Sequence, residues 1–137
     1  MKDVVDLIAR IFIAFIFFFE AYDSTIGFEA TKKTMTDYNI TWSQDFLLVA
    51  VIIVLLLGST LVLIGYRSSF GALLLLLYWL PVTFIVHPWW NNTGDIQREQ
   101  AIEFMKNFAI VGGLLMIVAY GSGRFSIRRL FATTKVP

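Results

Sequence analysis

The sequence predicts an all-α integral membrane protein: a four-helix transmembrane bundle with a short amphipathic interfacial helix between helices 1 and 2. Three observations predict it. Of 137 residues, 58% are hydrophobic and only 15% charged, whereas soluble domains run at about 45–50% apolar and about 25% charged. The apolar residues gather into runs of the length a bilayer demands, about 20 residues each. Trp42, Trp89 and Trp90 stand at the ends of such runs, where interfacial aromatics belong. Nothing is left over for a separate soluble domain, so residues 1–137 read as one domain with spans at about 4–21, 46–64, 70–86 and 101–120.

The first span runs from Val4 to Phe19 and extends to about Ala21. It reads as a retained helix rather than a cleaved signal peptide. Asp3 and Asp6 precede the run, Arg10 interrupts it, and Glu20-Ala-Tyr22 lacks the small residues of a cleavage site. In the connection from Tyr22 to Asp45, Phe28, Met35 and Tyr38 recur at spacings of seven and three, the pattern of an amphipathic helix lying on a membrane surface. Thr41 and Gln44 have the spacing of a capping box at the start of the second span. That span, Phe46 to Ile64, contains no charge, and Gly58, Ser59 and Thr60 form a small-residue patch suited to close helix approach. Gly65 to Ser69 is a tight turn, and the third span, Phe70 to Val86, carries Pro81 as an expected kink.

The last helix is different. No breaker follows Gly94, so helix is expected from about Asp95 to Tyr120, a rod of roughly 39 Å at about 1.5 Å per residue. That exceeds a hydrocarbon core of about 30 Å. Its polar first turns therefore sit at one membrane face and dip into it.

Four spans put both termini on one side. Lys2, Arg10, Arg67, Arg124, Arg128, Arg129 and Lys135 fall on that side, against Lys32, Lys33, Arg98 and Lys106 on the other. The positive-inside rule then makes both termini cytoplasmic, in a bacterial or archaeal plasma (inner) membrane. Arg124, Arg128 and Arg129 answer to topology and anionic lipid, and nothing resembles a nucleic-acid patch. There are no cysteines and one histidine. Disulfide relays, Cys-ligated Fe–S clusters and bis-histidine haem within one chain are thereby excluded, and no metal site is expected. Redox chemistry here would need a bound organic carrier or a partner.

Two polar constellations could carry chemistry. Asp6, Arg10 and Glu20 fall within about 80° of arc on the first helix, at about 100° per residue. Charge at membrane depth normally faces the bundle interior or a wet cavity, and the bland reading is an interfacial Asp6–Arg10 pair. On the fourth, Gln100, Glu103 and Asn107 share about 60° of arc, with Lys106 three residues after Glu103. A carboxylate, an ammonium and two amides can bind a polar head group or exchange protons, although a hydrated helix entrance would also use them. His87 stands beside Trp89 and Trp90, placed either to hydrogen-bond a quinone carbonyl or simply to anchor at the interface.

The HPWW run from His87 to Trp90 and the stretch EFMKNFAIVGGLLMIVAYGSGRFSI from Glu103 onward resemble DoxX-family membrane proteins. The family pattern is a histidine followed three residues later by tryptophan, a Phe-Met-Lys-Asn run, a Gly-Gly pair and a Gly-x-Gly-Arg exit. In this sequence these are His87 and Trp90, Phe104 to Asn107, Gly112 and Gly113, and Gly121 to Arg124. Arg10 matches an arginine early in the family's first helix, and Gly65 with Arg67 the exit of the second. Glu20 to Ser24 stand where members carry a glycine and then a lysine. Val54 and Leu55 replace an acidic residue, and Arg128 falls near an expected acidic position. The family is similar in part to the small subunit of an archaeal thiosulfate:quinone oxidoreductase. The resemblance therefore implies a subunit or partner of a membrane redox complex, with quinone as its candidate cofactor. Arg10, Glu20, His87, Trp90, Gln100, Glu103, Lys106 and Asn107 would form an outward-facing polar pocket.

The rival expectation is a non-catalytic accessory or assembly subunit, with Gly58, Ser59, Gly112 and Gly113 as helix-packing sites. In either case the partners are membrane lipid and other membrane-protein subunits or further copies of the chain. A transporter is the weaker third class, because four spans show no internal repeat.

Overall fold

The computed structural model describes residues 1–123 and 125–127. Arg124, Arg128, Arg129 and Lys135, on which part of the charge asymmetry rests, lie outside the described residues. The chain forms helices α1 (Lys2–Ile26), α2 (Phe28–Asp37), α3 (Gln44–Ile64), α4 (Ser68–Val86) and α5 (Gly94–Tyr120), with a 3-10 turn at Trp89–Asn91. No strand occurs among the described residues. By length and composition Gln44–Ile64, Ser68–Asn91 and Gly94–Tyr120 are able to cross a membrane. α1 is as long, but Asp6, Arg10 and Glu20 all fall between Val4 and Ala21, a charge load that separates it from the other three.

Each long helix buries one stripe and leaves the rest apolar and open. In α1 the buried residues are Arg10, Ala14, Phe17, Ala21 and Ser24, a run of alternating fours and threes that stays on one face of a helix. Phe12, Phe15 and Phe19, on other faces, are exposed, as expected where lipid takes the place of water. Phe17, Leu55, Leu75 and Leu114 are fully buried and bring α1, α3, α4 and α5 into one core. The Phe17 and Trp79 rings meet edge to face at 5.1 Å. Pro81 is carried inside α4 without ending it.

α1 packs on α3, α3 on α4, and α4 on α5, whereas α1 and α5 barely touch. The α3–α4 crossing depends on small residues. A Cβ on Gly58 would lie 2.8 Å from Leu75, and one on Gly71 would lie 2.8 Å from the Gly58 carbonyl oxygen. Gly58 and buried Ser59 are thus used inside the chain, with Ser59 Oγ donating to the Leu55 carbonyl.

α2 lies beside α1 and α3 and is fastened at both ends. The Gln44 amide donates to the Ile40 carbonyl at 2.7 Å and to Thr36 Oγ1 at 2.8 Å. The capping box expected of Thr41 and Gln44 is not formed. Ser43 is the N-cap, in a left-handed conformation and without a side-chain cap bond, because Gln44 spends its amide on α2. At the far end of α2 the Tyr38 hydroxyl donates to the Val86 carbonyl of α4 at 3.2 Å.

The terminal end of the bundle is organised by Arg10, which is fully buried. Its Nε donates to Asp6 Oδ2 at 2.9 Å and Nη1 to the Leu63 carbonyl at 2.9 Å, with a longer bond to Val62 at 3.3 Å. Its Nη2 donates to the Phe125 carbonyl. Asp6 also accepts the Gly123 amide at 3.0 Å, so one ion pair ties α1 to the end of α3 and to the segment after α5. Gly65 makes this possible. It ends α3 at φ +70°, and a Cβ there would lie 2.8 Å from Arg10 Nη1.

Removing one partner of such a pair strands the rest, typically at about 3–5 kcal/mol. Arg10→Met is expected to lower unfolding stability in detergent by about 3 kcal/mol, with Arg10→Lys intermediate because an ammonium lacks the guanidinium fork. A denaturation midpoint unchanged by Arg10→Met would show that the pair is not needed for stability.

Candidate functional site

At the other end of the bundle, α1, α2, α3, α4 and α5 surround a cavity of about 740 Å³. Ile16, Leu48, Val51, Trp79, Val82 and Ile110 give it an apolar interior, and α2 contributes Ala30, Thr31, Thr34, Met35 and Tyr38. Its polar lining comes from three helices and the His87 corner. α1 supplies Glu20 and Asp23, α4 supplies Tyr78, and α5 supplies Glu103, Lys106 and Asn107.

The local geometry follows from helix periodicity. Glu20 and Asp23 are one turn apart on α1, with the Tyr78 phenol within electrostatic reach of Glu20. On α5, Lys106 Nζ lies 2.7 Å from Glu103 Oε1, and both side chains are about half exposed. An ion pair so hydrated holds its partners weakly, at about 0.2–1 kcal/mol, which leaves both groups free to exchange partners. His87 follows α4, and its Nδ1 is 2.8 Å from Gln100 Oε1. With the proton on Nδ1 the ring donates to the amide and keeps an Nε2 lone pair. In the wall, the buried Trp79 Nε1–H has no hydrogen-bond partner among the described residues, an uncommitted donor next to the apolar interior.

Of the pocket residues the sequence proposes, Glu20, His87, Glu103, Lys106 and Asn107 line this cavity. Gln100 stands behind His87 as its hydrogen-bond partner. Arg10 is not brought to it: every Arg10 bond is made with Asp6, the end of α3 or Phe125. Trp90 is also turned away, stacked edge-on against Phe104 at 5.8 Å and tilted on Phe84 at 6.2 Å. Sequence reading missed Asp23, Tyr78 and Tyr38. Asp23 was legible as one turn beyond Glu20, and Tyr78 as a phenol in the middle of an otherwise apolar span. No cluster of three or more His, Asp or Glu side chains suited to a metal ion occurs among the described residues.

The packing glycines divide by environment. A Cβ on Gly113 would come within 2.8 Å of Ile13 Cδ1, so Gly113 lets α5 approach α1, whereas Gly112 faces open space.

A lipid-facing surface of apolar helices, a polar cluster at one end and three stretches able to span a bilayer define a small α-helical membrane protein. The chain belongs to the DoxX family, whose model matches residues 5–88. That range covers α1 to α4 and His87, and the motifs from Trp90 onward lie beyond it. The chain is 29% identical over 128 residues to the inner membrane protein YphA of Escherichia coli (strain K12), covering 93% of this chain and 91% of that protein. It is 28% identical over 130 residues to the inner membrane protein YqjF of the same organism, covering 95% and 94%. A Surfeit locus protein 4 homolog of Schizosaccharomyces pombe is 30% identical over 90 residues, 64% of this chain but only 28% of that protein. No solved structure matches.

α2 closes one side of the cavity, and Lys32 helps to hold it. Its ammonium lies 2.7 Å from Asp45 Oδ1 and 3.1 Å from Glu29 Oε1. The bond to Asp45, then that to Glu29, raises its pKa above the ordinary lysine value. A cationic group whose folded pKa is raised stabilises fully below its unfolded pKa and loses that contribution as pH rises through the folded one. Lys32→Met is therefore expected to speed amide hydrogen exchange of residues 28–37 at pH 7. In the unaltered protein, protection corrected for intrinsic exchange should fall only above about pH 10.4. Equal exchange in the two proteins would assign the docking of α2 to Gln44 and Tyr38 alone.

Proposed function

We propose that this DoxX-family protein is a four-span bundle of the inner membrane that serves as a small subunit or partner of a quinone-linked redox complex. Its cavity would hold the quinone head group on the outward side. α1 is then the fourth span, with Asp6 and Arg10 neutralised by their shared bonds, and α2 lies at the interface. The basic residues at the termini and at Arg67 support cytoplasmic ends. The names of the two Escherichia coli relatives support the inner membrane.

The observation that carries the reading is the joining of an apolar interior to Glu20, Tyr78, His87, Glu103, Lys106 and Asn107 in one cavity of about 740 Å³. Pockets for small molecules usually combine an apolar lining with a few convergent polar groups and measure about 300–1,000 Å³. The donor set fits a quinone. Tyr78, Lys106 and Asn107 can donate to ring carbonyls, and Glu20, Asp23, Glu103 and His87 Nε2 can take up protons. A quinone bound there would supply two-electron transfer coupled to proton exchange, and the chain's part is to orient the ring and hold protons at those carboxylates.

The accessory reading draws on Gly112, whose open side offers close approach to another helix. On that reading Gly112→Leu weakens recovery of a complex while cavity variants remain neutral.

The test is gentle-detergent purification from native membranes, with mass spectrometry of co-purified proteins and extracted quinones. Oxidase or dehydrogenase subunits, or stoichiometric quinone, are expected. Glu103→Gln or Lys106→Met should then lower quinone-linked turnover of the assembled complex about tenfold, the size of one charge-assisted hydrogen bond. Normal turnover with normal assembly removes the pocket from the mechanism. Recovery with bulk lipid only removes the redox partner as well.

A further inference from the structure

We infer that the cavity is entered sideways from the membrane through the seam between α1 and α5, and that this seam holds the hydrocarbon tail of the ligand. The inference rests on the proposed function for the identity of the head group and on the fold for the route.

Around the bundle, α1 meets α3, α3 meets α4 and α4 meets α5 in extended contacts, but α1 and α5 scarcely touch. The seam between them carries a groove of about 340 Å³ lined by Phe12, Ile13, Ile16, Ala109, Ile110 and Gly113. No polar side chain lines it. Ile16 and Ile110 line both this groove and the cavity, so the two spaces meet at that pair of side chains. The approach from the loop side differs, because α2 is tied across it by Gln44, Lys32 and the Tyr38–Val86 bond.

An apolar trough that ends in a polar cavity matches one ligand shape. Its head is compact and hydrogen-bonding, and its single long alkyl or isoprenyl chain remains in the membrane. Moving such a molecule through the seam keeps its chain in hydrocarbon throughout, whereas entry past α2 would carry that chain through water at about 0.8 kcal/mol for each exposed CH₂ group. Gly113 bounds the groove, since α1 and α5 come closest there through Ile13. Ala109 is exposed in the groove and absent from the cavity lining, which makes it the position at which tail and head separate experimentally.

The experiment uses the full chain in lipid nanodiscs and two probes: a dimethoxy-methyl benzoquinone bearing a decyl chain, and the same ring without it. Binding is read by quenching of tryptophan fluorescence. Ala109→Phe is expected to weaken the decyl probe at least about tenfold and to leave the tailless ring within about twofold. A decyl probe with a diazirine at the tail end, on the unaltered protein, should label the segments 12–16 and 109–113. A fatty acid with the same diazirine should label them less.

Unchanged decyl binding in Ala109→Phe, or tail labelling elsewhere, overturns the seam while leaving the quinone reading intact. Equal labelling by the fatty acid makes the groove a site for bulk lipid, which also overturns it. An effect of Ala109→Phe that follows a change from dimer to monomer assigns the groove to a second copy of the chain. Failure of both rings to bind overturns the quinone reading, and the ligand route with it.

Discussion

The fold turns on one buried cation. Arg10 sits in the interior of a structure whose outer surface is hydrocarbon-compatible, so its charge has no water to fall back on. Unpaired charge in such a place is costly enough that the surroundings must supply both a counter-ion and acceptors. Asp6, the ends of α3 and the segment after α5 do so together. Three parts of the chain distant in sequence are thereby held at one point. Helix association in membranes lacks the hydrophobic drive available in water and depends on close packing and hydrogen bonds, so this ion pair and the Gly58–Gly71 crossing carry much of the specificity.

The two ends of α1 show opposite uses of polar groups. At the Arg10 end each side-chain nitrogen is engaged and the residue is sealed. At the Glu20 end the polar groups are grouped but not exhausted: the Glu103–Lys106 pair is half exposed, His87 has one ring nitrogen engaged, and the Trp79 N–H is unspent. A saturated network confers rigidity, whereas an unsaturated one beside an apolar cavity can exchange its bonds with a guest. That contrast, more than the number of charged residues, separates clamp from candidate site.

Much of this was legible in the sequence. The unbroken helix expected from Asp95 is α5, and helical periodicity grouped Glu103, Lys106 and Asn107 correctly because three- and four-residue spacings fix a face. Arg10 and Glu20 share an arc, yet they are ten residues apart, roughly 15 Å along a helix. Angular position alone could not show that they serve opposite ends. Tyr78 and Trp79 escaped notice because hydropathy treats mid-span aromatics as apolar bulk. Trp90 was read with His87 by adjacency, but the 3-10 turn at Trp89–Asn91 points its ring to Phe84 and Phe104 instead. The role of Gln44 was equally hidden, since whether its amide caps a helix or reaches a neighbour depends on where α2 lies.

The same arrangement indicates where the bundle can give. α5 is held along its length by α4 and at its end by the segment that Arg10 and Asp6 retain, but along α1 it has only the approach of Gly113 to Ile13. Enlarging the cavity by moving α3 would break the Gly58–Gly71 crossing, and moving α4 would disturb the Phe17–Trp79 contact. Separating α5 from α1 above Gly113 breaks little, and lipid chains can replace what is lost. The least costly motion of the bundle is therefore the one that opens its cavity toward the membrane, with the Arg10 clamp as the fixed end of the hinge.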